Sequence, residues 1–124
     1  MTRPAIPTAD RMTRRRPAKT IELLYFAGCP HHDALLGHVH ELLRRHALSA
    51  HIVPRHIDDD GAAQRERFLG SPTLRVDGRD VEPGAHERED FGLKCRLYRS
   101  RCGVGGVPPE EWTRSALERA RAAE

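Results

Sequence analysis

Ile21-Glu22-Leu23-Leu24-Tyr25-Phe26-Ala27-Gly28-Cys29-Pro30-His31-His32 is the stretch on which the fold turns. Its first six residues form a short, nearly continuous apolar run, the pattern of a buried strand. Gly28 and Pro30 end that run. From Asp33 the apolar residues Leu35, Leu36, Val39, Leu42 and Leu43 recur at helical spacing. A buried strand therefore feeds an amphipathic helix that ends near His46, and Cys29 stands at the junction.

Downstream, residues 51–57 carry Ile52, Val53 and Ile57 and predict a second strand, which Pro54 assigns to a sheet edge. Asp58, Asp59 and Asp60 supply acidic caps to a helix through Phe68, and Gly70-Ser71-Pro72 then breaks the chain. Thr73-Leu74-Arg75-Val76 and Arg79-Asp80-Val81 flank Asp77-Gly78, a strong hairpin signal because both central positions favour positive φ. After a charged loop over 82–90, Phe91, Leu93, Cys95 and Leu97 alternate with Gly92, Lys94 and Arg96. That alternation predicts a further strand over 91–98, with Cys95 as a packed thiol on its apolar face. Residues 103–109 read as a flexible connector. Pro108-Pro109-Glu110-Glu111 then opens a last helix bearing Trp112, Ala116, Leu117 and Ala120.

Strand, helix, strand, helix, hairpin, helix, with Tyr25-Phe26-Ala27-Gly28-Cys29-Pro30-His31-His32 at the first junction, resembles the thioredoxin-like superfamily. Ser71-Pro72-Thr73, just before the hairpin, matches the place of that superfamily's cis-proline loop. Residues 70–73, 76–83 and 91–98 further resemble a group of small bacterial thioredoxin-like proteins, some of whose relatives carry alkylmercury-lyase labels. The resemblance implies an α/β fold: a thioredoxin-like three-layer α/β/α domain with a mixed central sheet, over residues 20–122. It also implies a nucleophilic cysteine at position 29.

The chain departs from the pattern where a second thiol belongs. A dithiol oxidoreductase resolves its mixed disulfide with a neighbouring cysteine, and here Cys29-Pro30-His31-His32 has His32 at that position. What remains is a monothiol. Cys29 would lie at a helix N-terminus, where backbone N–H groups stabilise a thiolate, and His31 and His32 would add to this if protonated. Cys29 and His32 are thus the expected catalytic residues, with Pro30, His31, Ser71, Pro72 and Thr73 contacting the substrate. A cis Pro72 would set the Ser71 backbone beside the thiol as a strand edge for an extended substrate. Cys102, in a glycine-bounded loop, is the better placed of the two secondary thiols for exchange, and Cys95 the more structural.

Three readings follow: thiol-dependent redox or thiol transfer, organomercurial or soft-metal handling, and a non-catalytic binding module. The second would need converging thiolates, such as Cys95 and Cys102, and an acid such as Asp90 or Glu89 to protonate the leaving carbon. Eight histidines without paired ligand spacing give no metal site. No cofactor motif is read.

The net charge of +3 is unevenly spread. Arg3, Arg11, Arg14, Arg15, Arg16 and Lys19 against Asp10 give the first 20 residues +5, which leaves −2 on the rest. Residues 1–19, with Pro4, Pro7 and Pro17, read as a disordered basic tail. An aromatic content of 5% disfavours base-stacking folds, so nucleic acid is an unlikely partner. The expected partner is a thiol or disulfide substrate, protein or small molecule. No run approaches the roughly 18 apolar residues of a membrane span. Thr13-Arg14-Arg15 hints at an export signal, but no apolar segment of about 7 to 15 residues follows it. Three cysteines are too few and too odd for a disulfide scaffold. The expectation is therefore a cytoplasmic protein with free thiols.

Overall fold

The computed structural model describes residues 19–101 and 103–122; the basic tail up to residue 18 and Cys102 lie outside the described residues. The domain is mixed α/β. Strand β1 (Lys19–Tyr25) begins one residue ahead of the expected boundary and occupies the interior of a four-stranded sheet of order β2-β1-β3-β4. It pairs in parallel with β2 (Ala50–His56) and antiparallel with β3 (Thr73–Val76), which pairs antiparallel with the short β4 (Arg79–Asp80). Helix α1 (His32–Arg45) joins β1 to β2, α2 (Asp60–Arg65) precedes β3, and α3 (Glu110–Ala122) closes the chain.

Alternation along β1 explains why it is interior. Ile21 and Leu23 face a cluster that holds Leu35, Val39, Leu42 and Leu43 of α1 with Ala116 and Leu117 of α3. Leu24 points the other way, to Ile57, Ala63 and Phe68. β2 lies at the edge, where Pro54 removes no needed donor. Asp77 and Gly78 both take positive φ, 49° and 86°, as the tight hairpin turn requires. The turn is tied back to β1 because Thr20 donates to Asp77 Oδ1 at 2.8 Å.

Three expectations change. The second helix, capped by Asp59 Oδ1 on Ala62 N at 2.8 Å, stops at Arg65 rather than running through Phe68. Arg67 turns left-handed at φ 55°, and Phe68 N then donates to Ala63 O at 2.8 Å, which drops the phenyl ring into the second cluster. The connector begins as a strand: β6 (Gly103–Gly105) pairs with β5 (Tyr98–Ser100).

The third change matters most. Residues 91–97 form no strand, and only Cys95 makes an isolated bridge, to Ser71. The inward face is also the opposite one. Arg96 and Tyr98 are buried, while Leu93, Cys95 and Leu97 are exposed, Leu97 to 60%. Cys95 is therefore not a packed core thiol. Arg96 is drawn inward by Asp80 and Glu82, and Tyr98 by the Pro72 carbonyl, and these contacts outweigh the roughly 1.5–3 kcal/mol from burying a leucine.

Candidate functional site

The chain leaves β1 at Tyr25 and turns through Gly28, at φ 86°, before entering α1. Cys29 sits in this turn with its amide donating to Phe26 O at 3.2 Å, and it is 6% exposed. It lies two residues ahead of the helix N-cap, His31, which makes no side-chain cap. Pro30 is exposed beside it.

His32 is fixed from two sides. Its Nδ1 donates to the Cys29 carbonyl at 3.2 Å, and its ring stacks on Tyr25 with centroids 4.3 Å apart. Nε2 lies 3.2 Å from Asp33 Oδ1. His32 therefore holds the Cys29 backbone in place. The His31 ring packs against Gly106, where even a methyl group would overlap it.

The Ser71–Pro72 bond is cis, and Ser71, Pro72 and Thr73 are buried together. The Ser71 hydroxyl accepts from Phe26 N at 3.4 Å, so the loop meets the β1–α1 turn at the residue that also anchors Cys29. Thr73 Oγ1 donates to Gly70 O at 2.6 Å. Phe26 thus links two of the expected residues, its carbonyl to the Cys29 amide and its amide to the Ser71 hydroxyl.

The strand edge expected at Ser71 is not open. Ser71 N donates to Lys94 O at 2.8 Å, and Arg96 N donates to Ser71 O at 3.0 Å. The chain's own 94–96 segment occupies both backbone groups. Gly70 admits this approach: its φ is 124°, and a Cβ there would lie 2.9 Å from Arg96 Cβ.

Arg96 locks the segment down and was not among the expected site residues. Its Nη1 donates to Thr73 Oγ1 at 2.9 Å and Asp80 Oδ2 at 2.8 Å, and Nη2 donates to Asp80 Oδ1 at 3.0 Å and Glu82 Oε1 at 2.7 Å. The guanidinium stacks over the Tyr98 ring, 4.5 Å from its centroid. Burial opposes the charge, but Tyr98, Asp80 and Glu82 more than offset it and raise the Arg96 pKa. Burial also pushes the Tyr98 phenol well above its ordinary range, against the pull of Arg96. A sequence signal existed: Asp80 and Glu82 are two apart, as are Arg96 and Tyr98.

Asp90 is a poor proton donor to a leaving carbon. Hydrogen bonds from Arg88 and Lys94 hold its carboxyl well below the usual carboxylate range. Among the described residues no three His, Cys, Asp or Glu side chains are grouped to hold a metal, and no helix is long and apolar enough to cross a membrane. A cleft of about 450 Å³ lined by Arg75, Arg79, Asp80, Glu82 and Arg88 includes neither Cys29 nor Cys95 in its wall. No family model, curated protein or solved structure matches the chain.

Proposed function

We propose that this is a thioredoxin-like, thiol-dependent redox or thiol-transfer protein that uses Cys29 as its nucleophile on small thiols and disulfides. The observation that carries the reading is the junction at Phe26. Its carbonyl anchors the Cys29 amide, and its amide donates to the hydroxyl of Ser71, next to the cis proline. The element order and the 2-1-3-4 mixed sheet support the fold part of the reading, as do the helices contributed to clusters on both faces of β1. Cys29 precedes a 14-residue helix, whose first N–H groups favour an anion nearby. A small substrate is favoured over an extended peptide because the 94–96 segment already holds the Ser71 edge.

The test is turnover of a small aromatic disulfide with a simple monothiol as reductant, followed by release of the coloured thiolate. Cys29→Ser is expected to lose at least tenfold, while Cys102→Ser keeps the rate. Wild-type turnover by Cys29→Ser would overturn the assignment.

A further inference from the structure

We infer that the cleft at the β4 edge of the sheet is a binding site for a compact polyanion, a small molecule that carries two or more phosphate or carboxylate groups. The inference is independent of the Cys29 reading, because that thiol is not in the cleft wall. β4 is the outermost strand, and Gly78, Arg79 and Asp80 of its hairpin form part of the wall. Arg75 of β3, Arg119 of α3 and Arg67, in the turn after α2, come from other parts of the chain and line the same hollow. Its volume of about 450 Å³ suits a small ligand.

The charges of this wall do not cancel. Five arginines face three carboxylates, those of Glu66, Asp80 and Glu82, and all three are engaged elsewhere. Asp80 gives both oxygens to Arg96, Glu82 accepts from Arg96 and Arg88, and Glu66 Oε2 lies 2.8 Å from Arg55 Nη2. Arg67, Arg79 and Arg119 are exposed, and none of them has a carboxylate partner among the described residues. The Arg75 side chain is only 14% exposed, yet its one ion-pair contact among the described residues is Glu66 Oε1 at 4.0 Å, beyond hydrogen bonding. It spends Nη2 on the carbonyls of Glu66 and Arg67 instead. Burial lowers its pKa against the pull of Glu22, Asp80 and Glu66. Like charges lining one hollow repel one another and focus a positive field there, and a seated anion relieves both.

Arginine also sets the chemical class of the ligand. Its planar fork pairs with two oxygens of one carboxylate or phosphate group, which a lysine cannot do. Several such forks around one hollow call for several oxyanion groups on one molecule. The carboxylates of Glu66, Asp80 and Glu82 repel a ligand whose charge is spread along the whole wall, so a compact one is favoured. Arg67 already covers a face of the Phe91 ring, 4.7 Å from its centroid, and denies that face to a stacking base. The guanidiniums of Arg79 and Arg119 have no protein bond to break before they meet the ligand.

The experiment is calorimetric titration of the full chain with pyrophosphate and, separately, with citrate, at constant ionic strength so that general screening is fixed. Expected is one site per chain with a dissociation constant below about 1 mM for at least one of the two. The tighter of the pair assigns phosphate or carboxylate as the anionic group. Arg79→Gln and Arg119→Gln should each weaken binding by roughly fivefold or more. Arg99→Gln removes an exposed positive charge outside the cleft wall and should leave the affinity within about twofold. All three side chains are exposed, so the melting temperature without ligand should stay at the wild-type value and show each variant folded. No binding of either anion at about 10 mM would overturn the inference. So would a loss in Arg99→Gln equal to that in Arg79→Gln, which is what diffuse surface charge produces.

Discussion

Replacing Arg96 with leucine tests whether a buried cation holds the 94–98 segment against the cis-proline loop. The Arg96 side chain is 1% exposed, and its partners Asp80 and Glu82 are 13% and 21% exposed. Removing one member of a buried ion pair costs about 3–5 kcal/mol, because the partner is left without compensation. Both carboxylates keep some contact with water, which places this site near the lower end, about 3 kcal/mol. The Arg96 Nε–H has no acceptor among the described residues, so the wild type already carries part of a desolvation cost that leucine relieves. Lysine keeps the charge but has no planar fork to serve Thr73, Asp80 and Glu82 together, and should cost about 1–2 kcal/mol.

The assay is urea unfolding, where about 3 kcal/mol lowers the midpoint by roughly 1–3 M at the slopes usual for small domains. Amide exchange gives a local readout, since the Ser71 N–H should lose protection in Arg96→Leu beyond the global change. Adding Asp80→Asn should recover part of the loss, with a coupling of about 1–3 kcal/mol. A stability within 1 kcal/mol of wild type for Arg96→Leu, with Ser71 still protected, would refute the argument. Backbone pairing alone would then be holding the segment.

Gly70→Ala meets both a left-handed φ and a close approach to Arg96 Cβ and the Lys94 carbonyl, and should cost about 2–4 kcal/mol by thermal or urea unfolding. Gly84→Ala, at φ 81° in open space, is the control and should cost about 1–2 kcal/mol. For Tyr98 the native phenol pKa is raised, so above the ordinary phenol value of about 10 the unfolded chain has bound fewer protons than the native one. Its contribution to stability is intact below that pH and falls above it by up to about 1.4 kcal/mol per pH unit. Tyr98→Phe should flatten that alkaline decline in a pH series of unfolding curves.

Local signals carried much of the fold because they do not depend on distant partners. The apolar run of β1, the helical spacing from Leu35 to Leu43 and the Asp77-Gly78 turn each act within a few residues. Pro54 marked an edge strand because a missing donor is costly anywhere else. The helix end at Arg65 was hidden, since a left-handed arginine has no sequence signature comparable to glycine's. At the site, the meeting of the Ser71 loop with the turn that carries Cys29, through Phe26, followed from element order. The orientation of residues 91–98 did not. Period-two alternation offers two faces, and hydrophobicity chose the leucines, whereas the fold chose Arg96 and Tyr98 because Asp80, Glu82 and the Pro72 carbonyl wait inside.

That single inversion links the exposed thiol to the closed strand edge. An extended peptide seeking the Ser71 backbone must first displace residues 94–96. It would break two backbone hydrogen bonds, about 2 kcal/mol net, and free Arg96 from its acceptors, about 3 kcal/mol by the reasoning above. The incoming peptide restores the two backbone bonds but brings no guanidinium to Asp80 and Glu82. The deficit of about 3 kcal/mol is roughly a hundredfold in affinity, before any ordering of the peptide is counted. A small disulfide needs no strand edge. It has only to reach Cys29, and so the contacts that exclude a peptide leave this route untouched while holding Cys95 beside Ser71.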